Sequence, residues 1–148
     1  MAKKRVRGKK KYFTVAEANA ALPLVRAVVS DITQLAQELR DRHERLSRVV
    51  PPERKMIGEA YREELEQVRA DFERDQERMQ EYVQELHKLG VELKDYFTGL
   101  VDFRCRLEDR EVYLCWRLGE PEVAHWHELD AGFAGRKKLP KAEMPSAI

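Results

Sequence analysis

Two stretches of this chain place an apolar residue at every third or fourth position. In the first these are Leu22, Val25, Val29, Ile32, Ala36, Leu39 and Leu46, with His43 completing the series. In the second they are Tyr61, Leu65, Val68, Phe72, Met79, Tyr82, Leu86 and Leu89, with Asp75 completing it. Such a spacing marks the seam of a helix lying against another helix. Thr14 and Glu17 form a T-x-x-E capping box at the start of the first stretch. Pro23 falls inside it, removes one helical hydrogen bond and is expected to bend the helix. Pro51-Pro52 ends it, and Pro52 suits the first turn of the second helix, where a proline forfeits no bond. Gly90, preceded by His87 and Lys88, is a good C-terminal stop. The pattern predicts two helices of about 36 residues, each roughly 54 Å long, folded back antiparallel as a hairpin over residues 14–89. Counting outward from the proline pair sets His43 against the Tyr61 region and Asp75 against the Val29 region.

After Gly90 the period changes from helical to two. Residues 100–107 (LVDFRCRL) and 111–118 (EVYLCWRL) alternate as strands do, with Glu108-Asp109-Arg110 as the turn between them. Gly119-Glu120-Pro121 is a second turn, leading into Val123–Leu129, and Val91–Lys94 reads as a shorter strand. Residues 130–136 (DAGFAGR) form a glycine-containing loop. The fold class is therefore α+β: a long antiparallel two-helix coiled-coil hairpin with a small antiparallel β-meander at its open end. Lys11-Tyr12-Phe13 emerges at that end and can pair with a strand edge. Residues 1–11 read as a tail, 12–139 as one domain (hairpin 14–89, β region and glycine loop 91–136), and 140–148, with Pro140 and Pro145, as a second tail.

Charge refines this outline. The net charge of +1 hides a division. Lys3, Lys4, Arg5, Arg7, Lys9, Lys10 and Lys11 put seven positive charges in residues 3–11, which leaves residues 12–148 at −6. A basic tail on an acidic body suits a solubilising role, or weak contact of residues 3–11 with nucleic acid or another anionic surface. Charged residues make up 37% of the chain beside 43% hydrophobic ones, a balance that fits long amphipathic helices and not disorder. No apolar run approaches the length of a membrane span, and no apolar stretch follows the basic start as in a signal peptide. Localisation is expected to be cytoplasmic, with Cys105 and Cys115 as thiols.

The residues least like structural filler lie in 111–136. His125 and His127 are two apart, so a strand presents both on one face. With the turn at Gly119-Glu120-Pro121, Cys115 lies opposite His125 and Tyr113 opposite His127. Leu114, Trp116, Ala124 and Trp126 then form the apolar face. This register separates apolar from polar residues more cleanly than one shifted by a residue, which would reverse the histidines' face. A Zn or Fe site is one reading: His125 and His127 as ligands, with Cys115 or Asp130 as a third and Glu128 the weakest candidate. The other is that the histidines hydrogen-bond to Tyr113, Glu122 or backbone and hold the sheet. Tyr113, Arg117, Trp126 and Arg136 are candidates for binding a small anionic ligand, the arginines through bidentate hydrogen bonds. Gly132 and Gly135 allow a close backbone approach. GFAGRKK is no P-loop, since it lacks the spacer and the GK[ST] ending. Three serines, Ser30, Ser47 and Ser146, supply no nucleophile elbow. Glu-Leu-His at 85–87 lacks the Glu-x-x-His spacing of a di-iron bundle, and no CxxC pair exists.

The tracts FTVAEANAALPLVR (13–26), GLVDF (99–103), EVYLCWRLGE (111–120) and AHWHELDAGFAGR (124–136) resemble a bacterial family catalogued as domain of unknown function 2203. The resemblance covers residues 12–139. It implies an intracellular bacterial protein with a helical hairpin and a small strand region, and it carries no established activity or cofactor. On the residues alone the function expected is a binding or assembly module, homodimeric through its hairpin. The alternatives are a small metal-dependent enzyme or metal sensor using His125 and His127, and nucleic-acid association through the basic tail.

Overall fold

A computed structural model describes residues 11–49 and 58–140. The basic run up to Lys10 and the Pro51-Pro52 pair lie outside the described residues. Helix α1 spans Val15–Val49 and helix α2 spans Glu59–Lys88. The capping box forms as the sequence predicts. The Glu17 amide donates to Thr14 Oγ1 and the Thr14 amide donates to Glu17 Oε1, each at 3.0 Å. Helix α1 runs on through Pro23. Helix α2 opens at Glu59 after Gly58. The cross-helix register differs from the one counted outward from the proline pair. Asp75 is met by Arg42 at 2.5 Å, not by the Val29 region. His43 faces Leu65, Val68 and Phe72.

Gly90 ends α2 with φ +88, and the chain enters a meander of five antiparallel strands in sequence order. These are β1 (Val91–Asp95), β2 (Leu100–Leu107), β3 (Arg110–Arg117), β4 (His125–Glu128) and β5 (Lys137–Lys138). A short 3₁₀ turn, Phe133–Gly135, precedes β5. Two departures from the sequence reading matter. The β2–β3 turn has two residues, Glu108 and Asp109, both at positive φ, so β3 begins at Arg110 and Leu107 pairs with Arg110. And the chain after Arg136 adds a fifth strand that the alternation pattern does not announce. Lys137 and Lys138 pair with β4, and Leu139 is buried, its amide donating to the Ala124 carbonyl.

One face of the sheet packs on the hairpin. Val101, Phe103 and Cys105 of β2 and Val112, Leu114 and Trp116 of β3 join Leu22, Val25, Val29 and Ile32 of α1 and Leu86 of α2 in a single core. The alternation of each strand dictates that face, because residues i and i+2 point the same way. Phe13 closes one edge, edge-to-face on Phe103 at 5.1 Å, and its amide donates to the Arg104 carbonyl beyond the end of β1. Asn19 ties the far side. Its carboxamide accepts from the Val123 amide at 2.7 Å and donates to the Val123 carbonyl at 3.3 Å, which fixes the entry to β4 against α1. The sheet covers only the proximal part of the hairpin. No helix among the described residues is long and apolar enough to cross a membrane.

Candidate functional site

The other face of the sheet is polar. Glu92 on β1, Asp102 and Arg104 on β2, Tyr113 and Cys115 on β3, and His125 and His127 on β4 all project from it. Cys115 pairs with His125 and Tyr113 with His127, the register expected from the sequence. On the next strand Asp102 pairs with Cys115 and Arg104 with Tyr113. The loop from Leu129 to Arg136 folds over this face. Leu129, Gly132 and Phe133 roof a cavity of about 170 Å³ floored by Asp102, Tyr113 and His127.

At the centre, Asp102, Cys115 and His127 are all buried, with one ligand-capable atom of each lying within 4.8 Å of the others. His127 Nε2 lies 3.1 and 3.2 Å from the two Asp102 oxygens. Its Nδ1 lies 2.8 Å from the Glu128 carbonyl. A carbonyl oxygen only accepts, so Nδ1 carries a proton. Nε2 then turns a lone pair toward a carboxylate, unless a cation stands between them. A shared proton meets that need, and burial pushes the Asp102 carboxyl above its ordinary value, in the direction of holding one, against the opposing pull of His127. Burial also pushes the Cys115 thiol up to about 12. Tyr113 completes the floor. Its ring is tilted against the His127 imidazole with centroids 5.5 Å apart, and its hydroxyl lies 3.3 Å from both Glu92 and Arg104.

The sequence-derived candidates separate into three groups. Cys115 and His127 are brought together. His125 is not brought to them: its Nδ1 accepts from Arg136 Nη2 at 2.7 Å. Burial first and the Arg136 guanidinium second hold His125 below its ordinary value. Asp130 is exposed in the turn after β4, and Glu128 is engaged by Arg110 at 2.9 Å. Of the anion-binding candidates, Arg136 is already engaged. It pairs closely with the Glu120 carboxylate, contacts Cys115 Sγ at 3.8 Å and lies over the Phe133 ring. Arg117 is exposed, with its guanidinium over the same ring at 5.2 Å. Trp126 packs on the opposite face against the core, between Arg110 and Lys137. The residue that sequence reasoning missed is Asp102. Its signal was an acidic residue in mid-strand, in phase with Arg104 and Arg106.

A second feature lies away from the sheet. Where the hairpin extends past the sheet, Leu39, Arg42, His43 and Leu46 of α1 face Leu65, Val68, Arg69 and Phe72 of α2 across an open groove of about 460 Å³.

The family model described as "Uncharacterized conserved protein (DUF2203)" matches residues 11–139. The chain belongs to that family. No curated protein and no solved structure matches it.

Proposed function

We propose that this family member is a binding and assembly module, joined to a second copy through the distal arm of its hairpin and offering its polar sheet face to a small ligand. The observation that carries the reading is the groove. Leu46, Leu65, Val68 and Phe72 are 37%, 43%, 44% and 55% exposed, although they continue the heptad series that is buried nearer the sheet. A contiguous apolar strip left open on a helical pair is a site for another helix.

A second copy suits it best. Both walls of the groove come from one chain, so a two-fold axis brings an identical strip against it and closes four helices around one seam. Arg42, His43 and Arg69 flank the apolar strip, and Arg42 is held within its own chain by Asp75. On the sheet face, Lys94 beside the cavity and the exposed Arg117 support an anionic ligand.

Sedimentation equilibrium of the full chain over a wide concentration range tests the assembly. The expected result is a reversible dimer. Phe72→Glu removes two rings per dimer, each worth about 1.5 kcal/mol or more when buried, which weakens association on the order of 100-fold. The same change leaves monomer helicity intact, because Phe72 already faces solvent in one copy. A wild-type chain that stays monomeric at the highest concentration refutes the reading.

A further inference from the structure

We infer that Asp102, Cys115 and His127 form a Zn²⁺ site whose fourth position opens into the cavity beneath Phe133. The three side chains come from three adjacent strands, β2, β3 and β4, so the position of each is set by sheet register and not by a loop. His127 Nδ1 is committed to the Glu128 carbonyl at 2.8 Å. That bond fixes the ring and leaves Nε2 as the ligand atom, the usual arrangement around a metal-bound histidine. Nε2 and Asp102 Oδ1 stand 3.1 Å apart. Two zinc bonds of about 2.0 Å at a tetrahedral angle separate their ligand atoms by about 3.3 Å. The pair therefore already has close to the spacing of two zinc ligands. Cys115 Sγ lies within 4.8 Å of both and completes the set.

Charge balance points the same way. Zn²⁺ with one carboxylate, one thiolate and a neutral imidazole is a neutral centre, the form a buried site tolerates. Binding would release the Cys115 proton and the proton shared by Asp102 and His127. Arg136 Nη1, 3.8 Å from Cys115 Sγ, can donate to the thiolate that results. The choice of zinc follows from the donors. One sulfur, one imidazole nitrogen and one carboxylate suit a borderline-soft tetrahedral ion. The iron facial triad needs two histidines, and His125, the only other histidine on this face, is held by Arg136. Three protein ligands with an open fourth position is the pattern of a zinc that binds water or a small ligand, and the cavity of about 170 Å³ supplies that room.

The experiment is Co²⁺ titration of the untagged full chain after removal of metal with a chelator, followed by Zn²⁺ competition. The expected result is one equivalent of Co²⁺ giving a near-ultraviolet thiolate-to-cobalt band with tetrahedral visible bands, all displaced by Zn²⁺. Cys115→Ser abolishes the thiolate band. Asp102→Ala and His127→Ala each weaken Zn²⁺ at least tenfold. Cys105→Ala and His125→Gln leave the spectrum unchanged, because Cys105 lies on the core face and His125 faces Arg136. X-ray absorption at the zinc edge of the reloaded wild type needs no variant, and one sulfur with nitrogen or oxygen neighbours is expected. No thiolate band in folded wild type, a zinc shell without sulfur, or a band that survives Cys115→Ser overturns the inference.

Discussion

The shared proton at the centre of the polar face makes a sharp prediction at Asp102. In metal-free protein, Asp102→Asn is expected to be nearly silent and Asp102→Ala costly. The reasoning starts from His127. Its Nδ1–H is spent on the Glu128 carbonyl, so Nε2 needs a donor. An asparagine amide of the same shape supplies an N–H at the same distance, so Asp102→Asn should fall within about 1 kcal/mol of wild type. Alanine supplies none. It leaves a buried ring nitrogen unpaired, at about 1–3 kcal/mol, and opens a small void, so a loss of about 3 kcal/mol is expected. The competing arrangement is an imidazolium facing a carboxylate. There, Asp102→Asn strands a buried positive charge and costs about 3–5 kcal/mol. Urea unfolding at neutral pH with chelator present separates the two. An Asn variant as damaged as the Ala variant refutes the shared-proton account.

Two further outcomes follow from local geometry. Gly99 sits at φ +71, and a Cβ there would lie 2.8 Å from both Leu118 Cβ and Val29 Cγ1. Gly99→Ala combines a left-handed backbone penalty with overpacking against the core and should cost about 2–5 kcal/mol in urea unfolding; a loss under about 1 kcal/mol would count against it. His125 is held below 6.5 by burial and Arg136, so it contributes stability above pH 6.5 that is lost as pH falls through its lowered folded value. Its ring resonances should titrate below 6.5 in wild type and higher in Arg136→Gln, whereas an unchanged midpoint means Arg136 does not act on it.

Much of this was legible from pattern alone. The two heptad series, the capping box at Thr14 and the stop at Gly90 are local signals, and local physics settles them. The pairing of Cys115 with His125 and Tyr113 with His127 was legible because only one register keeps Leu114, Trp116 and Trp126 off the polar face. Asp102 was not. A three-residue turn at Glu108-Asp109-Arg110 sets Asp102 opposite Trp116, on the apolar face. The two-residue turn instead pairs it with Cys115. Glu108 and Asp109 carry none of the glycine or asparagine that usually announces such a turn. One residue of turn length thus decided whether the central carboxylate could be seen. The hairpin register failed for a related reason: counting outward from Pro51-Pro52 does not fix how the two helices align. β5 escaped notice because two lysines show no alternation, and it exists only through its pairing with β4.

The Asn19 clamp on Val123, and the core it closes, also fix an order of events during synthesis. Helix α1 leaves the ribosome early, with Val25, Val29 and Ile32 already aligned along one side. The strands that cover that side begin roughly 70 residues later, and at about 5–20 residues per second several seconds pass before they arrive. Through that interval α1 has only α2 to lean on, and its apolar side waits for the sheet. The polar face is completed last, because His127 on β4 follows Asp102 and Cys115 in the chain.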